Sequence, residues 1–346
     1  MDNKKERIWY IDLLKLIGSM FVVFMHTASD ALWTNPTGYR GWFVLAALSG
    51  LSFCAVPLFF MISGYLLSYY PCDVPALLKK RVPKLAGALV FWSALYVLFG
   101  LLTAEETDGV SVFRRFYAIT QSPVNISLWY MYALIPMYLI SPLLFGGLNS
   151  LDSYGRRCIL ALIVILEALS MARIVVPRIY TEYLSFTVFG YLNFFDRHLC
   201  SFILGWYLGR KELHCSKKLL IPVALVDLGI IIFGTIRRSM AAQSYDTAFQ
   251  TQSAGFEVLL AACLFLLARE SGIRFSGRAG RVVSLLSAQT LNIYLMHNLL
   301  LLMLHRKLVP LSSSAAILCT AVVYAAALAI SVLLNRGKAL LLKKRG

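Results

Sequence analysis

The stretch Asp12–Asp30, DLLKLIGSMFVVFMHTASD, has the length and apolar content of a membrane-crossing helix, yet it carries Asp12, Lys15, His26 and Asp30. A charged side chain at membrane depth is costly and usually faces a bundle interior or a wet cavity. At about 100° and 1.5 Å per residue, the eleven steps from Lys15 to His26 leave the two about 20° apart in azimuth and about 16 Å apart along the axis. Asp12 precedes Lys15 by three residues and Asp30 follows His26 by four, so all four polar groups fall in one stripe about 60° wide. Asp12 and Lys15 read either as an i, i+3 pair or as a lysine snorkelling to the surface.

The rest of the chain gives this helix its solvent. Of 346 residues, 59% are hydrophobic and 14% charged, with a mean hydropathy of +0.71, outside the range of ordinary soluble domains. Apolar runs of about 20 residues, each able to cross roughly 30 Å of hydrocarbon as a helix, recur throughout. Ten are expected, at 8–29, 42–69, 84–103, 128–146, 156–176, 189–209, 217–236, 254–269, 282–304 and 312–334. The first is too long and too charged for a cleaved signal peptide. The fold class that follows is an all-α membrane protein, a single polytopic bundle with both termini cytoplasmic.

The net charge of +16 supports that topology. With a cytoplasmic N-terminus, the inner side collects Lys4, Lys5 and Arg7, then Lys79, Lys80, Arg81 and Lys84, then Arg156 and Arg157. Arg210, Lys211, Lys217 and Lys218, the arginines 269, 274, 278 and 281, and the basic C-terminus from Arg336 onward complete it. The excess is the positive-inside signal of a multi-pass protein. Such a surface attracts anionic lipid headgroups or a polyanionic cosubstrate, and nucleic acid is not implied. The seven cysteines show no metal or redox spacing, so no metal is expected. No phosphate loop, dinucleotide fingerprint or hydrolase elbow is present.

A second histidine matches the first. In SLLSAQTLNIYLMHNLLLLMLH, His297 lies about 24 Å past Arg281, while His26 lies about 28 Å past Arg7. Both imidazoles reach the outer third of the bilayer. Thr290 and Tyr294 fall on the His297 side of their helix, so two polar stripes are expected to wall one cavity.

These motifs resemble the membrane acyltransferase family 3, integral-membrane O-acyltransferases of bacterial polysaccharides. The family opens with a basic residue, ten residues and a histidine; Lys15 and His26 match, with lysine where arginine is more common. Phe59–Leu67 (FFMISGYLL) is similar to its second-span block, and KKRVPKL places Arg81 and Lys84 at its two spaced basic positions. LWYMYALIPMYLISPLL (Leu128–Leu144), FILGWYLG (Phe202–Gly209) and LSAQTLNIYLMHNLL (Leu286–Leu300) resemble further blocks, in family order.

The resemblance implies transfer of an acyl group, often acetyl, from cytoplasmic acyl-CoA to a glycan or lipid-linked sugar hydroxyl at the outer face of the cell membrane. Lys15, Arg81 and Lys84, with Arg278 or Arg281, are candidate cations for the phosphate-bearing donor. A neutral imidazole suits deprotonation of a hydroxyl, so His26 is expected to be the general base or a transiently acylated group, oriented by Asp30 or another acid. His297 is assigned to orienting the acceptor or to stabilising the thioester oxyanion. Ser63 is either a hydrogen-bond donor or part of a close helix contact at Gly64. Trp129 and Tyr130 belong either to the interfacial belt or to a sugar platform. Asp196, Arg197 and His198 are expected to hold an internal ion pair rather than to act in catalysis, and Glu167, Asp227 and Glu257 either line the cavity or pair with arginines such as Arg173 and Arg237. The rival reading is a glycan or lipid-linked-intermediate flippase or exporter; a sensor or uptake module for a small amino acid is a third.

Overall fold

A computed structural model describes residues 7–69, 74–103, 109–184, 197–210, 212–251, 254–305 and 312–343. Among them there are helices and no strands. The main elements are α1 (Trp9–Thr34), α2 (Arg40–Ser52), α3 (Ala55–Tyr69), α4 (Val82–Thr103), α5 (Gly109–Ala118), α6 (Trp129–Ser150) and α7 (Ser153–Val175). They are followed by α8 (Arg197–Leu208), α9 (Lys217–Ala242), α10 (Gly255–Glu270), α11 (Gly277–Ser287), α12 (Thr290–His305) and α13 (Ser313–Lys343). A π-helical turn, Leu77–Arg81, leads into α4.

Ten comparable spans are not what the described helices provide. Seven are long and apolar enough to cross a membrane, with α2 and α3 acting as one, and the bent pair α11–α12 makes an eighth. α10 matches the expected span at 254–269 within one residue, but at 16 residues it is about 24 Å long, and of the expected span at 189–209 the described part is α8, 12 residues. Residues 185–196 lie outside the described residues.

Glycine sets the closest helix contact, that of α3 with α8. A Cβ on Gly64 would run into the carbonyl oxygen of Phe202, and one on Gly205 into that of Met61. The two helices therefore touch backbone to backbone at reciprocal positions, as small residues permit in a membrane. Phe202 and Met61 are fully buried beside the crossing.

The 53° break between α11 and α12 falls at Ala288–Gln289. Gln289 Oε1 accepts from Ser331 Oγ at 2.7 Å and from Asn335 Nδ2 at 2.5 Å, both on α13. Asn292 Nδ2 donates to Ser331 Oγ at 2.9 Å. Interhelical hydrogen bonds of this kind are worth about 1–2 kcal/mol in model systems. Gln289→Leu is accordingly expected to lower the thermal midpoint in detergent, and an unchanged midpoint would show that the bend is held by something else.

The carboxyl groups of Asp227 on α9 and Glu257 on α10 are buried where these two helices pack together. They pair with neither Arg173 nor Arg237 among the described ion pairs, and neither residue lines the cavity described next. Asp196 and the Arg197 side chain lie outside the described residues.

Candidate functional site

The stripe on α1 opens onto a space between helices. A cavity of about 210 Å³ lies among α1, α3, α4, α6 and α12, and both Lys15 and His26 line it. Val22 and Met25 lie between them on the same helix, which agrees with the eleven-residue helical register. α3 contributes Phe59, Ile62, Ser63 and Leu66, α4 Leu85, and α6 Trp129, Tyr130, Leu134 and Tyr138. α12 adds Thr290, Leu291 and Tyr294. The wall is apolar with a few hydroxyl groups, the usual make-up of a site that orients a ligand through few polar contacts.

The two histidines meet. The His26 and His297 rings have centroids 5.0 Å apart. His297 is fully buried, and its Nδ1 lies 2.6 Å from the Tyr294 carbonyl oxygen. A carbonyl only accepts, so Nδ1 carries the proton and, in the neutral ring, Nε2 is a bare acceptor. That Nε2 is buried and has no hydrogen-bond partner. A nitrogen without a proton cannot donate to an oxyanion, and His297 is not part of the cavity wall. In this tautomer His297 stands behind His26, in contact with its ring.

Asp30, the acid expected to orient His26, is exposed, and its backbone carbonyl accepts from Thr34 Oγ1 at 2.7 Å. No carboxylate lines the cavity among the described residues. Asp12 does not pair with Lys15 either; its Oδ2 accepts from Arg7 Nε at 2.5 Å. Of the other expected cations, Arg81 ends the π-helical turn and Lys84 is exposed in the first turn of α4; neither lines the cavity, whereas the adjacent Leu85 does.

The end of the cavity near His26 is held by a turn that sequence reasoning passed over. Asn125 Oδ1 accepts from Ser127 N at 3.0 Å, Ser127 Oγ at 2.7 Å and Asn298 Nδ2 at 2.7 Å. Tyr294 donates its hydroxyl to the Ser127 carbonyl, and Tyr96 donates to the Leu295 carbonyl at 3.2 Å. These bonds fix Ser127, Trp129 and Tyr130 against α12. The polar run SPVNIS before LWYM was the available signal. Ser63 Oγ lies 3.3 Å from the Tyr130 hydroxyl while Gly64 makes the α8 crossing, so both readings of that pair hold at neighbouring residues. His198 stacks on Phe60 with centroids 4.9 Å apart and lies 4.9 Å from the Trp129 ring.

No group of three or more metal-binding side chains is found among the described residues. No curated protein and no solved structure matches the chain. A family model described as an acyltransferase domain matches residues 8–336. A match of that extent means that this multi-pass helical chain belongs to the membrane acyltransferase family 3.

Proposed function

We propose that the protein moves an acyl group, acetyl in the simplest case, from cytoplasmic acyl-CoA to a hydroxyl of a cell-envelope or exported glycan, with His26 as general base. The observation that carries this reading is the single cavity bounded by Lys15 at one end and by His26, backed by His297, at the other. The bare nitrogen of His26 takes the acceptor's proton as its oxygen attacks the thioester carbonyl. The carbon–sulfur bond then breaks, and the proton passes to the departing thiolate, giving an ester and CoA. Lys15 marks the donor side, and Arg81 and Lys84 add positive potential around the start of α4.

His297 acts as a positioning residue in this scheme. With its Nδ1 proton committed to Tyr294, its bare and unpartnered Nε2 lies beside the His26 ring and is the acceptor that a His26 N–H would meet on a small rotation of that ring, leaving the other His26 nitrogen free to act as base. His297→Ala is expected to lower kcat by about 10- to 100-fold with little change in KM, and His297→Asn, which keeps an acceptor, to recover part of the loss. Equal losses in both variants would argue against the tautomer role.

The function itself is tested with purified protein in proteoliposomes, radiolabelled acetyl-CoA and a glycan acceptor. Label is expected to move to the glycan. Glycan crossing the membrane with neither acyl transfer nor acyl-CoA hydrolysis would favour the exporter reading instead.

A further inference from the structure

A second concavity, of about 920 Å³, opens where the start of α1 meets the ends of α3, α6, α8 and α10. It gathers helix ends that carry the chain's basic residues, so it lies at the basic end of the bundle. Its size is near the top of the roughly 300–1,000 Å³ typical of small-molecule pockets. The basin pairs arginine with tryptophan twice: the Arg7 guanidinium lies 5.2 Å from the Trp9 ring and that of Arg210 5.4 Å from the Trp206 ring. Trp206 is fixed by its Nε1–H, which donates to Asn149 Oδ1 at 3.0 Å.

The cations in the basin differ in how far they are committed. Arg269 donates to the carbonyls of Leu208, Arg210 and Leu213 and pairs with Glu270. The hydrogen bond from Arg269 holds the Glu270 carboxyl below the usual carboxylate range. Arg269 is thus a clamp that shapes the floor. Arg274 is exposed at the rim, and the ion pair described for Arg210, besides its stacking on Trp206, is with Glu212 at 3.2 Å, a partner whose side chain is 74% exposed. A pair so open to water is weak and yields readily to a stronger anion.

Flat rings next to guanidinium groups are the chemistry that takes a nucleotide, the rings stacking on a base and the guanidinium groups binding phosphate. We propose that this basin, through Trp206, Arg210 and Arg274, holds the nucleotide end of acyl-CoA, an inference that rests on acyl-CoA being the donor. The basin and the cavity share two helices. On α1, Tyr10 lines the basin and Lys15 the cavity, five residues or about 7.5 Å apart. On α3, Tyr65 lines the one and Leu66 the other. The thioester must reach His26, sixteen residues or about 24 Å past Tyr10 along α1, so an arm on the order of 15–20 Å when extended has to start from the side of the basin nearest the cavity. The principal phosphate contacts thereby move from Arg81 and Lys84 to Arg210 and Arg274.

The test uses full-length protein in nanodiscs, with CoA binding measured by calorimetry and turnover compared between acetyl-CoA and S-acetyl-pantetheine, which lacks the nucleotide. In the double variant Arg210→Gln/Arg274→Gln, CoA affinity is expected to fall by about tenfold or more. The advantage of acetyl-CoA over S-acetyl-pantetheine in kcat/KM is expected to fall by the same factor. A structural defect would lower turnover of both substrates alike and leave their ratio unmoved, which would overturn the assignment. So would CoA affinity that is unchanged in the double variant but lost in Arg81→Gln/Lys84→Gln, or basin substitutions that weaken only binding to anionic lipid vesicles. Failure of the wild-type protein to bind CoA at all would remove the donor reading itself.

Discussion

Replacing His26 by alanine is expected to lower kcat by about 10²- to 10⁴-fold, the usual contribution of a general base, with the helical fold retained. The side chain lines the cavity and contacts the His297 ring, so its removal enlarges a space already present and breaks no described hydrogen bond. Circular dichroism and elution on size exclusion should therefore match the wild type, while label transfer from acetyl-CoA collapses. CoA affinity should be retained, because His26 sits at the end of the cavity away from Lys15. A variant that transferred acyl groups at the native rate would remove His26 from the mechanism. One that lost CoA binding as well would place it in donor recognition.

The largest effect on stability is expected at the α3–α8 crossing. Gly64→Ala and Gly205→Ala each put a methyl group where a backbone carbonyl already lies, and no rotamer change relieves that overlap. Overpacking a well-filled interior costs about 1–3 kcal/mol, and the high end applies where two backbones must part. Gly87 and Gly146 provide the contrast, since a Cβ at either would meet nothing within 4 Å. There the same substitution removes a helix-weakening glycine and is expected to stabilise by up to about 1 kcal/mol. Thermal unfolding of the four variants in one detergent should give midpoints that move in opposite directions. A common direction would mean that the crossing is looser than its geometry requires.

Much of this arrangement was legible from periodicity. Lys15 and His26 face one cavity because eleven residues make just over three helical turns, a local property that any sequence reveals. Equal depth on two helices placed the polar stripes of α1 and α12 at one cavity, lined by His26, Thr290 and Tyr294, while the contact of His297 with His26 behind that wall was not read from it. Other features depend on what lies opposite, which a single sequence does not carry. Asp30 shares the stripe of His26, but one further turn takes it out of the bundle to an exposed position. The break at Ala288–Gln289 has neither proline nor glycine to announce it; the partners that hold it, Ser331 and Asn335, lie about 40 residues on. Trp206 and Arg210 read as part of a family block and a basic cluster, and only the convergence of five helix ends brings them into one basin.

The bend at Gln289 also acts as a lever. His297 lies eight residues beyond it, about 12 Å along α12, so a change of 10° in the bend would swing the imidazole by about 2 Å. Misplacement by about 1 Å can cost 10²-fold in rate. Three amide and hydroxyl groups that do not line the cavity, on Gln289, Ser331 and Asn335, thus set the aim of a ring that none of them touches. Tuning this enzyme's rate without altering its pocket would begin there.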